Sequence, residues 1–123
     1  MSERYPRSQR ITRQAEIRKV TRQGTRVRTS NLDVHILASP VGVLRVGIIT
    51  PKFGHTSVAR NRLKRRLREL VRRILLPGNY AYYLMIRARM SAYDCAFANL
   101  RQEIEQVASQ LGSNTAVHGE PPG

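Results

Sequence analysis

Residues 58–76, VARNRLKRRLRELVRRILL, repeat apolar side chains at helical spacing and put arginine or lysine into nearly every gap. At about 100° per residue, Leu63, Leu67, Leu70, Val71 and Ile74 fall within about a third of the circumference, the stripe of a helix that covers a core. Asn61, Arg65, Arg68 and Arg72 follow at i, i+4, i+7 and i+11 on the opposite side, with Arg62 and Arg73 on its flank. Ser57 reads as the N-cap, and Pro77-Gly78 as the stop. Like charges at i, i+4 destabilise an isolated helix by about 0.2–0.5 kcal/mol per pair, and Glu69 is the one acid available to relieve them. Solvated helix faces usually mix signs. This segment is therefore expected to face a core on one side and a polyanion on the other.

The rest of the chain narrows the polyanion. Among 123 residues, 22 Lys+Arg stand against 8 Asp+Glu, a formal net charge of +14. Nineteen of the basic and four of the acidic side chains lie in residues 1–73, so the binding surface belongs to the first three-fifths. Arginine outnumbers lysine 19 to 3, and its planar fork suits phosphates and base edges. The apolar face of the helix lacks the Trp and Phe of a helix lying on lipid. No stretch approaches the roughly 20 apolar residues of a membrane span, and Met1–Arg10 holds no secretory apolar run. A hydrophobic content of 41% is enough for a core and argues against a wholly disordered basic chain. Nucleic acid is the expected partner, with no membrane and no DNA compaction. Cys95 stands alone, which excludes an internal disulfide and fits a cytoplasmic protein.

Around that helix the pattern predicts a single α+β domain over residues 10–111, with frayed segments at 1–9 and 112–123. A first helix runs from Ile11 to Gln23, capped by Thr12 and stopped by Gly24. Residues 26–38 read as one strand with a wet face, since Leu32, Val34 and Ile36 alternate with Asp33 and His35. Residues 43–50 (VLRVGIIT) are nearly continuous in apolarity, as the middle strand of a sheet would be. Residues 80–86 (YAYYLMI) form another buried strand, its tyrosines core along with Phe97. Ser91 and Asp94 then suggest a capping box for a closing helix whose stripe is Tyr93, Phe97, Leu100, Ile104, Val107 and Leu111. The order is α-β-β-α-β-α, a central mixed sheet packed with helices.

The chain shows little chemistry of its own. Asp33, Glu69, Asp94 and Glu103 are scattered over different elements, so no carboxylate cluster stands ready to hold a metal against a phosphate. His35 and His55 read as stacking or loop residues, not as a general acid and base. The loop KFGHTS lacks the spacing of a phosphate-binding loop.

The segment VGIITPKFGHTSVARNRLKRRLRELVRR, ending at Arg73, resembles the signature of the bacterial ribonuclease P protein component. The matching positions are Arg60, Asn61, Arg62, Lys64, Arg65, Arg68 and Glu69, and the likeness spans about Arg10 to Leu111. That resemblance implies a ribosomal-protein-like α+β fold with a left-handed crossover, in an endoribonuclease whose RNA subunit, with Mg2+, releases the 5′ leader of precursor tRNA. The catalytic RNA would meet Arg60, Asn61, Arg62, Lys64, Arg65, Arg68 and Arg72. The single-stranded leader would lie along Arg13, Ile17, Thr21, His35, Lys52, Arg87 and Arg89. The family's first helix usually carries phenylalanines near Ile17 and Thr21, and neither is aromatic here. The alternative is a structural RNA-binding protein of the ribosomal type.

Overall fold

The computed structural model describes residues 7–78 and 80–118. After a short 3-10 turn at Arg7–Gln9, the elements are α1 (Gln14–Gln23), β1 (Thr25–Arg28), β2 (Leu32–Ala38), β3 (Arg45–Ile49), α2 (Ser57–Leu70), β4 (Tyr82–Ala88) and α3 (Phe97–His118). The sheet runs β1-β2-β4-β3 in space. The pairs β1–β2 and β2–β4 are antiparallel, while β3–β4 is parallel and joined through α2. The expected α+β domain with a mixed sheet is therefore present, with one more strand than the sequence suggested.

That extra strand arises because residues 25–38 fold back on themselves. Thr29–Asn31 carry no glycine or proline, and the turn is stabilised from outside: the Glu103 carboxylate of α3 accepts from the Asn31 backbone N–H, the Asn31 amide and the Thr29 hydroxyl. Position β3 also differs from expectation. It lies at the sheet edge, and its apolarity reflects cover on three sides. Val46 and Ile48 pack on the face under α2, Gly47 and Ile49 lie on the other face, and Ile11 N–H donates to the Val46 carbonyl at 3.1 Å along the open edge. This bridge holds Ile11 extended, so α1 starts only at Gln14, with Arg13 rather than Thr12 at the N-cap and no side-chain cap. Gly24 does end α1, in an ordinary extended conformation. Its glycine is required by space, since a Cβ there would lie 2.5 Å from the Val20 carbonyl oxygen and 2.9 Å from that of Ile36.

The sheet separates two apolar layers. On the larger side Leu32, Val34, Ile36, Leu84 and Ile86 meet Leu63, Leu67 and Leu70 of α2 and Leu100, Ile104, Val107 and Leu111 of α3. Each such side chain contributes about 1.5–3 kcal/mol when fully buried. On the smaller side Ile11, Val20, Tyr83 and Met85 are joined by Ile17, Leu37 and Ile49. The stripe of α2 continues one residue out of phase. A π-helical turn at Val71–Leu75 inserts an extra residue, so Leu75 is fully buried while Ile74, which the helical period had placed on the stripe, packs half-buried against the same core. The cap of α2 is Thr56, whose hydroxyl accepts from Ala59 N–H at 3.1 Å, one residue before the expected Ser57. Strand β4 begins two residues later than expected. Ser91 lies in a 3-10 turn at Met90–Tyr93 that Asp94 closes, its N–H donating to the Ser91 carbonyl, so neither residue caps α3. Helix α3 runs on through His118, past the expected boundary at Gly112. Residues 1–6 and 119–123, expected to be frayed, lie outside the described residues.

Candidate nucleic-acid interface

Helix α2 turns its leucines to the sheet and leaves its cations outside. Asn61, Arg62, Arg65 and Arg68 are exposed, and Arg60 and Lys64 are half-buried. Among the described residues no carboxylate pairs with Arg62, Lys64, Arg65 or Arg68. The column changes character one turn later. Glu69 accepts from Arg72 at 2.6 Å and from Arg73 at 2.6 Å, and these arginines, Arg72 first, hold its carboxyl below the usual carboxylate range. Arg72, expected beside its neighbours as a contact for RNA, is thus half-buried and tied to Glu69. The unneutralised ladder comprises the positions from Arg60 to Arg68.

The second group of expected residues lies around the opposite face of the sheet. Alternation in β2 and β4 puts Asp33, His35 and Arg87 on the side that carries α1, in adjacent cross-strand rows: Arg28–Asp33–Arg87–Ile49 and Arg26–His35–Met85–Gly47. Asp33 is spanned by Arg28 at 3.0 Å and Arg26 at 3.3 Å. Its burial favours the neutral acid, but the two arginines outweigh that and lower its pKa. His35 is pushed below its ordinary value by burial first, then by Arg26 and Arg87, against the opposing pull of Asp33. Its Nδ1 is buried with no hydrogen-bond partner among the described residues.

Other members of that group have separate places. Ile17 is half-buried in the smaller apolar layer. The Thr21 hydroxyl donates back to the Ile17 carbonyl at 2.9 Å, inside its own helix. Arg13 and Lys52 are exposed, one at the start of α1 and the other in the loop before α2. Arg89 serves the fold, because its Nη1 donates to the carbonyls of Thr29 and Ser30 and so closes the β1–β2 turn.

A cleft of about 220 Å³ around the β3 edge links the two groups. Ile17 lines it from α1, Lys64 and Arg68 line it from α2, and Arg10 and Gly47 complete its walls. Residues that the sequence assigned to separate surfaces therefore share one groove. Arg10 was missed there because only its bridge to Val46 brings it to that edge. Below it, Arg45 donates to Glu16 at 2.7 Å and to the Arg10 carbonyl at 2.7 Å, and its guanidinium lies 5.5 Å from the Tyr83 ring centre.

Four carboxylates are committed within the fold: Glu16 to Arg45, Asp33 to Arg26 and Arg28, Glu69 to Arg72 and Arg73, and Glu103 to the β1–β2 turn. Among the described residues no three His, Cys, Asp or Glu side chains come together in a group that could hold a metal ion. No helix among them is long and apolar enough to cross a membrane.

A small α+β domain whose Arg62, Arg65 and Arg68 have no carboxylate partner among the described residues, with a basic cleft beside them, presents a strongly cationic surface of the kind that suits a polyanion. The family model for Ribonuclease P matches residues 5–112. The ribonuclease P protein component of Symbiobacterium thermophilum is 35% identical over 104 residues, covering 84% of this chain and 90% of that protein. That of a Picosynechococcus strain is 27% identical, covering 85% and 91%. Among solved structures, a Staphylococcus aureus RNase P protein mutant with defective mRNA degradation activity superposes with a TM-score of 0.76 at 23% identity, over 84% of this chain and 87% of its own. The Thermotoga maritima RNase P protein gives 0.72 at 17% identity, over 82% and 96%. The chain belongs to the ribonuclease P protein component family, whose role is in the 5′ processing of tRNA within an endoribonuclease complex.

Proposed function

We propose that this chain is the protein subunit of a cytoplasmic ribonuclease P ribonucleoprotein, and that it acts by binding two RNAs at once. The outward face of α2, with Arg60, Asn61, Arg62, Lys64, Arg65 and Arg68, docks on the catalytic RNA. The face carrying α1, with Ile17, His35 and Arg87 and with Arg13 and Lys52 at its margins, receives the single-stranded 5′ leader of precursor tRNA. The observation that carries this reading is the set of exposed arginines, Arg62, Arg65 and Arg68, with no carboxylate partner among the described residues.

Two polyanions repel each other, and a basic domain between them offsets that repulsion by replacing condensed counterions. Mg2+ supplies the hydrolytic chemistry on the RNA side. The protein contributes fixed cations and a partly apolar groove, with Ile17 giving contact area where the family usually offers a ring. The proposal is tested by adding the purified chain to a bacterial ribonuclease P RNA and precursor tRNA at low Mg2+. Cleavage at the mature 5′ end is expected to rise. No increase would leave a structural RNA-binding role in its place.

A further inference from the structure

The loop before α2 builds an aromatic group that the reading above does not use. The His55 ring lies flat on Tyr93, with centroids 3.9 Å apart and planes 10° from parallel, and Phe53 meets the same tyrosine edge-on at 6.4 Å. Tyr93 is the anchor, since its hydroxyl donates to the Pro51 carbonyl. Phe53 sits at φ +46°, in the left-handed region a non-glycine residue seldom adopts, followed by Gly54 at φ +83°. His55 N–H donates to the Lys52 carbonyl at 2.6 Å and closes the turn. A loop held this way keeps Phe53 42% exposed, although burying it would be favourable.

Cations surround this group. A pocket of about 140 Å³ is bounded by His55 and Tyr93 on one side and by Arg62 and Arg66 of α2 on another, with Asp94 the one carboxylate in its lining. Arg60 is close enough to bias the Tyr93 hydroxyl electrostatically. Flat rings with one face used and arginines beside them are the components of a stacking platform for an unpaired base, with the guanidinium groups placed for its flanking phosphates. Tyr93 takes one face of His55, and the ring as a whole is only half-buried. The platform also adjoins the first turns of the helix whose outward face carries the arginine ladder.

We infer that His55, supported by Tyr93 and flanked by Phe53, stacks an unpaired base of the catalytic RNA whose phosphates are met by Arg62 and Arg66. This rests on the reading that the outward face of α2 docks on that RNA. Its test measures the affinity of the full chain for a bacterial ribonuclease P RNA and, separately, for a single-stranded leader oligonucleotide. His55→Ala is expected to weaken binding to the catalytic RNA by about five- to 150-fold, the range for one stacked base, and His55→Phe to restore most of it. Phe53→Ala should give a smaller loss in the same direction, and the leader oligonucleotide should bind all three variants as it binds the parent chain. Native-like affinity of His55→Ala for the catalytic RNA overturns the inference. So does a loss that His55→Phe fails to restore, or a loss confined to the leader. An Arg65→Ala/Arg68→Ala chain run alongside separates the two levels: if it loses affinity while His55→Ala does not, only the stacking site fails, and if neither loses affinity, the docking face fails too.

Discussion

Replacing Arg65 and Arg68 with alanine should change how RNA binding responds to salt as well as how strong it is. Both side chains are exposed on the outward face of α2, and no carboxylate among the described residues pairs with either. The leucines that hold the helix, Leu63, Leu67 and Leu70, point the other way and stay buried. The double variant should therefore keep its fold. Each phosphate contact contributes about 0.7–0.9 to the slope of log affinity against log salt, so two lost contacts lower that slope by about 1.4–1.8. Over a four-fold rise in salt, from about 50 to 200 mM, the affinity gap between parent and variant should shrink about seven- to 12-fold. Filter binding or fluorescence anisotropy with the catalytic RNA across that range measures it, with circular dichroism as the check on folding. An unchanged slope would refute the assignment of these arginines to phosphates. A collapsed fold would refute the orientation of the helix.

Three further outcomes follow from contacts in the fold. Glu103→Ala leaves the Asn31 N–H and the Thr29 and Asn31 side chains without their acceptor in a largely buried site, at an expected cost of about 1–3 kcal/mol in urea unfolding. A change within a few tenths would mean that the β1–β2 turn holds itself. Gly24→Ala should destabilise, by about 1–3 kcal/mol, because the new methyl meets two backbone carbonyls. Since the backbone there is at φ −75°, a conformation alanine accepts, stabilisation would show that the close approach is absent. His35 has a folded pKa below its ordinary 6.5, so the unfolded chain takes up its proton first as pH falls. Stability should therefore drop below about pH 6.5 until the folded ring also protonates. His35→Gln should remove that part of the acid sensitivity, measured by denaturant unfolding at pH 7 and pH 5. An equal drop in both proteins would contradict it.

The parts legible in the sequence were those where one element carries its own signal. Leu63, Leu67 and Leu70 repeat at a helical period, and Leu100, Ile104, Val107 and Leu111 do the same in α3, so both helices and their buried faces could be read directly. The ladder on α2 followed from the same wheel. The missed features depend on partners far along the chain. The turn at Thr29–Asn31 is held by Glu103, more than 70 residues on. The late start of α1 depends on Val46, and the groove shared by Ile17, Lys64 and Arg68 exists only once β3 is an edge. Arg89 looked like a free cation because nothing local shows that two carbonyls of a distant turn accept from it. Tyr93 fitted the apolar stripe of α3, yet it sits in the preceding 3-10 turn and stacks on His55. Leu75 joins the stripe more deeply than Ile74, which packs at its margin, because the π-helical turn is a change in backbone register that side-chain spacing does not encode.

The central claim is that the outward face of α2 is the surface against the catalytic RNA, and proximity cleavage reads it directly. In a Cys95→Ser chain, Val58→Cys puts a tether for an iron chelate on the exposed first turn of α2 without removing a cation, and Glu105→Cys puts one on the exposed side of α3. Radicals generated at position 58 should cut the catalytic RNA in a confined stretch, and those from position 105 should leave it intact. Cutting from position 105 with none from position 58 would contradict the account.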